Sequence, residues 1–535
     1  DYEDLRALFV HPGTGLEEIT DPEHLPVDRL GFDRDDGDGL AELRSNGYIT
    51  LDLSNSARFA TAEEIVANVT NLDAETSLPS DERYEFAVTV TDTTAQSNAS
   101  LRTGQLTAEF GQSLYTRAAG DVAEFSLSLD AADEAWIQFT DPGSDFTDIL
   151  YVEDVNGDGR VTFSANTRLI GTDHSRISGI DDSDAAVVYH SARDNVESYI
   201  HDEVIAGSGS GVTEATFYDG RIDPTARLSL TEYTNEVNGN DPTEQLPRPL
   251  QPADYELVVA RDGTFVAEDG ESTVDDPIGS TEFDLIQSSL RGVQTWAAPQ
   301  RRADDVRRIS VLRDALTDRE TVAIRDRAVL QFNATGLVGA MAAIDYAENG
   351  RDIDDGIEDG FPPDVLHELA MTQSDWYGDG IALTFEGPDR VNRDRNELAI
   401  GGVPPDEAYV LVDQQTAEFG SGTVYLVVDT RSKPFTDGLD DGEQFDTALT
   451  YVGSGTPYAF STPSGPFGGS GGDTTDPAFP YFSQGITSNV TADTTLTFAE
   501  PSVTFDATDD GTVQISPDAN ATVSGQTNLA PGTVV

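Results

Sequence analysis

The chain has 535 residues, of which 37% are hydrophobic, and its 98 acidic and 31 basic side chains give a formal net charge of −67. Such a charge argues against nucleic acid and anionic membranes as direct partners because like charges repel, and the absence of cysteine excludes disulfides and thiol chemistry. The hydrophobic fraction argues against a disordered acidic chain, and no apolar run reaches the length of about 18 residues that predicts a membrane span.

Only one of the basic residues is a lysine, Lys433, and all the others are arginine. Self-repulsion of the acidic surface largely disappears in multimolar salt, where the Debye length falls to about 3 Å or less. Arginine is more weakly hydrated than lysine and pairs with carboxylates through a planar fork. The composition therefore predicts a protein of an extreme halophile that stays folded in brine.

The first 104 residues are predicted to form a mixed α/β N-terminal domain. Its helix is expected over residues 60–69, where Thr61 and Glu64 have the spacing of a capping box. Residues 105–288 are predicted to form a β-sandwich surface domain, because short runs within them alternate apolar with polar residues and are separated by turn residues. The clearest of these runs are residues 125–129, 135–139 and 255–259.

A helical connector is predicted over residues 289–318, with a helix over 304–316 whose apolar residues recur at helical spacing. A second β-sandwich domain is expected over 319–462, with a short helix over 363–372. The remaining predicted segments are a Gly/Ser/Pro-rich linker over 463–489 and the start of a further, incomplete immunoglobulin-like β-domain over 490–535.

The predicted fold class is mainly β. It consists of tandem immunoglobulin-like β-sandwich domains with antiparallel sheets, a mixed α/β N-terminal unit and a few short connector helices. Two explanations fit the incomplete last domain. Either the polypeptide continues beyond Val535, or a neighbouring subunit completes the domain by adding a β-strand.

The best candidate for a metal site is a calcium loop formed by Asp154, Asn156 and Asp158. These oxygen ligands occupy positions 1, 3 and 5 of such a loop, and Gly159 occupies position 6. Position 12 is Ala165, so the usual bidentate glutamate is missing. The alternative is an Asp/Gly-rich hairpin turn that binds no metal.

Five Asn-X-Ser/Thr sequons are candidate N-glycosylation sites in an exported protein. Their acceptor residues are Asn68, Asn98, Asn333, Asn489 and Asn520. No catalytic residues are predicted, because the six histidines are scattered and acidic pairs are too common in this chain to indicate a reaction. No cofactor is expected to be required, apart from the candidate Ca²⁺.

Several segments resemble the β-domains of haloarchaeal cell-surface proteins, the S-layer glycoproteins and their relatives. The similar segments are 119–125 (AGDVAEF), 154–163 (DVNGDGRVTF), 250–259 (LQPADYELVV), 333–340 (NATGLVGA) and 524–533 (SGQTNLAPGT). Ala253 stands where this family usually has glycine. The resemblance implies export, glycosylation and a role in a lattice or coat, and it carries over no catalytic residue.

The sequence thus predicts a non-enzymatic, extracellular structural protein of the cell surface. Such a protein would assemble into a coat, lattice or surface filament in high salt, by self-association through the edges of its β-domains and with cations bridging acidic loops. One alternative is a surface adhesin or binding module. A less favoured alternative is a secreted hydrolase, which would need a cleft with converging carboxylates.

Overall fold

The structure, a computed structural model, divides the chain into two compact units, residues 1–107 and 108–535. The following residues are described: 5–10, 41–43, 49–51, 83–90, 96–102, 107–141, 146–174, 179–181, 184–201, 215–220, 223–239, 242, 245–246, 248–260, 263–274, 277–305, 307–370, 380–389, 394–414, 422–431, 434–453, 477–483, 486–506, 508–509, 512–513 and 521–534.

The described part of the first unit is an antiparallel sheet of five strands in the order β2-β3-β1-β4-β5. Its strands are β1 (Leu5–Val10), β2 (Ala41–Leu43), β3 (Ile49–Leu51), β4 (Arg83–Val90) and β5 (Gln96–Arg102). The helix predicted over residues 60–69 lies outside the described residues. The mixed α/β character of this unit therefore stays a prediction.

The second unit contains the remaining strands and all six described α-helices. The strands are β6 (Thr107–Phe110), β7 (Leu114–Ala118), β8 (Val122–Asp130), β9 (Glu134–Thr140), β10 (Thr147–Glu153), β11 (Arg160–Asn166), β12 (Tyr189–His190), β13 (Asn195–Ser198), β14 (Thr216–Asp219), β15 (Asp223–Leu228), β16 (Ala253–Ala260), β17 (Thr264–Glu268), β18 (Glu271–Val274), β19 (Pro277–Ile286), β20 (Leu290–Ala298), β21 (Thr317–Asp318), β22 (Thr321–Ala323), β23 (Arg327–Ala334), β24 (Ile381–Glu386), β25 (Ala408–Asp413), β26 (Thr423–Asp429), β27 (Gln444–Tyr451), β28 (Val490–Ala499), β29 (Val503–Phe505), β30 (Thr508–Asp509), β31 (Thr512–Val513) and β32 (Gly525–Thr527). The helices are α1 (Leu230–Val237), α2 (Gln300–Asp305), α3 (Ile309–Ala315), α4 (Val338–Asn349), α5 (Ile353–Asp359) and α6 (Pro363–Ala370).

The first sandwich pairs a six-stranded sheet, β13-β10-β9-β16-β19-β7, with a four-stranded sheet, β12-β11-β8-β6. Along β8 every second residue is buried, as the alternation in the sequence predicts. Phe125 on β8 meets Phe283 on β19 edge to face, with ring centroids 5.2 Å apart. The apolar faces of the two sheets thus pack against each other.

A smaller sheet, β15-β14-β17-β18, covers the other face of the six-stranded sheet together with α1. Trp136 and Tyr151 point to this side and pack with Phe217, Tyr233 and Phe265. Both faces of β9 are therefore buried, which explains why its central residues are buried without alternation.

The second sandwich pairs the sheet β21-β20-β23-β26-β25 with the sheet β22-β28-β27-β24. Helices α2 and α3 cover the outer face of the first of these sheets, where Leu312 packs with Tyr409 and Val427. Helix α4 lies between the two sandwiches, and its buried residues belong to a hydrophobic core that includes residues of both. The described residues of the second unit therefore share one main core.

The fold is mainly β, as predicted, but its sheets are not purely antiparallel. Among the described strands, three pairs are parallel: β7 with β19, β14 with β17, and β22 with β28. Each of these pairs joins segments that are distant in sequence. Local alternation of apolar residues cannot reveal the direction of such pairing.

The helical connector predicted over 289–318 is wrong in its first part, because residues 290–298 form β20, which pairs with β23 along its whole length. Two short helices replace the single helix predicted over 304–316, since α2 ends at Asp305 and α3 begins at Ile309. The helix predicted over 363–372 is confirmed as α6.

The linker and last-domain boundaries also differ from the pairing in the structure. Residues 477–482, assigned to the linker, are buried, and Phe479 stacks on Tyr451 with ring centroids 4.0 Å apart. Strand β28, assigned to a new domain, pairs with β27 and β22 and so completes the second sandwich. Only the short ladders β29–β32 and β30–β31 follow it in the described residues.

Candidate functional site

The candidate functional site is the junction between the two sandwiches. Two segments that resemble surface proteins meet there, 119–125 and 333–340. The first contains the turn Gly120–Asp121 between β7 and β8. Gly120 has a φ of +89°, and a Cβ at this position would lie 2.4 Å from the ring of Tyr481. Only glycine therefore fits this turn without displacing a buried aromatic side chain.

Asp121 is 3% exposed and reaches the start of helix α4. Its Oδ1 accepts hydrogen bonds from the backbone N–H groups of Gly336, Leu337 and Val338, at 2.9, 3.1 and 3.2 Å. The N-terminus of a helix presents unsatisfied N–H donors and a partial positive charge. Leu337, the N-cap residue of α4, cannot supply a side-chain acceptor, so Asp121 of the other sandwich caps the helix instead.

Further hydrogen bonds close the junction around this cap. The N–H of Gly339 donates to the carbonyl oxygen of Gly120 at 2.8 Å. The Nδ2 of Asn166, at the end of β11, donates to the carbonyl oxygen of Gly339 at 2.9 Å. A Cβ on Gly339 would lie 2.4 Å from the Oδ1 of Asn166, so glycine permits the close approach of helix and strand.

Removing the charged Asp121 side chain from water costs free energy at the junction. Burial raises the pKa of Asp121 to about 6, against the opposing effects of the three N–H donors and the nearby Arg117. The carboxylate therefore stays ionised at neutral pH because it is hydrogen-bonded, and a carboxylate buried here without those donors would be strongly disfavoured.

A second buried carboxylate fixes the C-terminal part of the chain. Asp326, which is fully buried, accepts from the N–H of Ala530 at 2.6 Å and from the hydroxyl of Thr533 at 2.6 Å. The segment 524–533, which resembles surface proteins, thus docks beside the beginning of β23 in the second sandwich.

The candidate calcium residues Asp154, Asn156 and Asp158 lie in the loop between β10 and β11. Asp154 accepts from the N–H groups of Gly157 at 2.8 Å and Gly159 at 2.6 Å, and Asn156 donates to Asp194 at 2.8 Å. Burial alone would raise the pKa of Asp154, but these backbone donors together lower it. The geometry fits the hairpin-turn alternative, and the calcium site stays a prediction.

The candidate glycosylation residues fall in different environments. Asn489 is exposed directly before β28, whereas Asn333 lies half-buried in β23 and accepts a hydrogen bond from Gln331 at 2.9 Å. Asn98 lies in β5. Asn68 and Asn520 lie outside the described residues.

In the described part of the chain, no group of three or more His, Asp or Glu side chains is arranged to hold a metal ion. Likewise, none of the described helices is both long enough and apolar enough to cross a membrane. Chemically, the junction can hold two sandwiches together. Sequence reasoning missed the role of Asp121, because its partners lie 215 to 217 positions away and nothing local to either segment links them.

The chain is similar to a protein family and to several cell surface glycoproteins. Residues 101–213 match a family described as a domain of unknown function, DUF7827. The chain is 24% identical over 421 residues to cell surface glycoprotein 1 of Haloarcula hispanica, covering 77% of this chain and 36% of that protein. It is also 24% identical over 519 residues to cell surface glycoprotein 2 of the same organism, covering 95% of this chain and 45% of that protein.

A cell surface glycoprotein of Haloferax gibbonsii is 24% identical over 326 residues, which cover 60% of this chain and 29% of that protein. The chain thus spans less than half the length of each of these relatives. Among solved structures, surface layer protein SbsC, domains 4–9, matches with a TM-score of 0.15 and 8% identity over 79% of this chain and 36% of that chain. A TM-score this low supports no shared fold.

The described fold defines a mainly β protein of packed sheets. Its similarity to haloarchaeal cell surface glycoproteins confirms the resemblance found in the sequence and supports an extracellular location at the cell surface.

Proposed function

We propose that this chain is a non-enzymatic structural protein of the cell surface of an extreme halophile, and that it associates with further copies into a coat, lattice or filament in high salt. The single observation that carries the proposal is the junction at Asp121. It joins the two sandwiches through a buried cap and a shared core, and so gives the rigid body that an ordered array requires.

Charge and composition support the salt dependence of this assembly. Surfaces with so large an acid excess can touch only where counterions screen them. Divalent cations are suitable bridges because they bind carboxylate oxygens from both sides of a contact.

The experiment is electron microscopy of the purified chain in multimolar salt, with and without calcium, combined with light scattering. Ordered sheets or fibres that disappear on dilution of the salt are the expected result. A protein that stays monomeric at every salt and calcium concentration would instead favour the adhesin alternative and overturn the proposed assembly.

Three finer features belong to the same proposal. Immunoglobulin-like topology of the first sandwich is supported by β6 and β7, which are adjacent in sequence but pair with opposite sheets.

Calcium binding by Asp154, Asn156 and Asp158 is tested by titrating the protein with calcium and comparing it with Asp158→Asn. Glycans on the five sequons are tested by mass spectrometry of native material, and exposed Asn489 should be modified before half-buried Asn333.

A further inference from the structure

The feature that departs most from the acidic composition of the chain is the segment of residues 301–313, called here the arginine segment. It contains five arginines and two aspartates, whereas the whole chain has about three acidic residues for each basic one. The segment comprises most of α2, all but the end of α3 and the residues between them.

Three arginines of this segment carry unneutralised positive charge on the surface. Arg301, Arg302 and Arg308 are exposed, and none of them forms an ion pair with the described residues. They are therefore free to pair with carboxylates of another molecule.

The arginine segment is held rigidly on its sheet. Arg327 of β23 pairs with Asp304 through two hydrogen bonds of 2.9 and 2.8 Å. The guanidinium of Arg307 lies 5.2 Å from the ring centroid of Tyr409, whose hydroxyl donates to a carbonyl oxygen of α2 at 2.6 Å. Binding through this segment would thus cost little backbone conformational entropy.

Helix α5 presents the opposite charge nearby. Its sequence contains four acidic residues, of which Asp355, Glu358 and Asp359 are exposed and form no ion pair with the described residues. Both α3 and α5 contact β25, the edge strand of its sheet. Arg308 and Glu358 line the same cavity of about 750 Å³.

A surface with a positive and a negative patch side by side is self-complementary. A two-fold axis between the patches places the positive patch of each copy against the negative patch of the other. Guanidinium and carboxylate groups pair through two parallel hydrogen bonds. Such contact pairs persist in brine, although salt screens attraction over longer distances.

We propose that the arginine segment binds helix α5 of a second copy of this chain, and that the reciprocal contact forms across a local two-fold axis beside β25. This inference rests on the proposed self-association and names one surface that carries it. The alternative occupant, a soluble acidic polymer, is distinguished by the test below.

The test uses two charge-reversal variants, Arg301→Glu/Arg308→Glu and Glu358→Arg/Asp359→Arg. Both changes favour the local helices, because acids stabilise helix N-termini and bases stabilise helix C-termini. Each variant alone should associate about ten-fold or more weakly than the unchanged chain in sedimentation velocity at multimolar salt. An equimolar mixture of the two should regain the association, because in a mixed pair one contact keeps the original charges and the other carries them reversed.

The control is Arg227→Glu/Arg291→Glu, which changes the net charge as Arg301→Glu/Arg308→Glu does, at exposed positions in β15 and at the start of β20. It should associate like the unchanged chain. Circular dichroism shows whether the first two variants fold. If they fold and associate normally, or if their mixture stays dissociated, the inference is overturned while the proposed assembly stands. If the unchanged chain does not associate, both are overturned, and saturable binding of polyglutamate to it would identify the acidic polymer as the occupant.

Discussion

At the scale of single residues, the junction depends on one acceptor atom that serves three donors. Asp121→Ala leaves the N–H groups of Gly336, Leu337 and Val338 buried without their partner. We expect the free energy of unfolding to fall by about 2–4 kcal/mol, because each unsatisfied buried donor costs roughly 1–3 kcal/mol before relaxation. Urea unfolding in multimolar salt measures this loss.

Asp121→Asn keeps an acceptor oxygen and should lose less, and Asp130→Ala, at an exposed position, should leave stability unchanged. An equal loss in Asp121→Ala and Asp130→Ala would contradict the role of Asp121 as a cap.

The close contact at Gly339 gives a second prediction at this scale. A methyl group there would meet the Oδ1 of Asn166 and the carbonyl oxygen of Gly120, at 2.4 and 2.6 Å. Gly339→Ala should therefore lower the melting temperature, at a cost of about 1–3 kcal/mol for overpacking. Gly292→Ala is the matched control, because a Cβ at Gly292 meets nothing within 4 Å.

Buried Asp148 predicts an unusual response to pH. Burial raises its pKa from 3.8 to about 7, even though Ser198 and the N–H of Ile149 donate to its carboxylate. The folded protein thus binds this proton more tightly than the unfolded chain does. The contribution of Asp148 to the free energy of unfolding is therefore largest below pH 3.8. It falls as the pH rises above 3.8 and is lost as the pH passes about 7.

Asp148→Asn should flatten that part of the pH dependence, whose steepest slope is about 1.4 kcal/mol per pH unit for one proton. Urea unfolding at several pH values, with Asp130→Asn as the comparison, provides the measurement. An unchanged slope in Asp148→Asn would mean that Asp148 does not titrate in this range.

At the scale of elements, the sequence predicted best those segments whose burial follows one local period. The alternation in β8 and the short helix α6 were both readable, because each buries one face. Helix α4 was missed, since most of its residues are buried and its apolar run lacks a clear period. Strand β20 was missed because its residues were assigned to the connector around the helix predicted over 304–316.

The segment 477–482 shows why linkers are hard to delimit by composition. Its aromatic residues follow a run of Gly, Ser and Pro, but Phe479 is fully buried against Tyr451. Phe479→Ala should cost about 3–5 kcal/mol of stability, as for other large buried side chains. Phe505→Ala, at a position 54% exposed, should cost far less in the same unfolding experiment. Equal effects would contradict the anchoring role of Phe479.

At the scale of the whole molecule, charge decides the conditions under which the fold exists. In dilute buffer the formal charge of −67 repels itself over about 10 Å or more, whereas multimolar salt confines this repulsion to near contacts. Dialysis to low salt should therefore unfold the protein, with loss of its far-ultraviolet circular dichroism signal. A chain that remains folded and assembled in dilute buffer without divalent cations would contradict this account.

Composition alone thus predicted the environment, and the resemblance of short segments predicted the class of protein and its location. The junction could not be predicted, because it depends on which two distant segments meet. The candidate calcium loop could be found from its local pattern. That pattern fits both a metal site and a hydrogen-bonded turn, so it does not decide between them.

The shared core of the two sandwiches has a mechanical consequence. A pulling force across them loads the hydrogen bonds at Asp121 and the surrounding apolar contacts at the same moment. Domains joined by flexible linkers extend one after another under tension, whereas two sandwiches with a shared core resist as one body and rupture in one step. A layer made of such bodies would be stiff against osmotic swelling and brittle once its first joint fails.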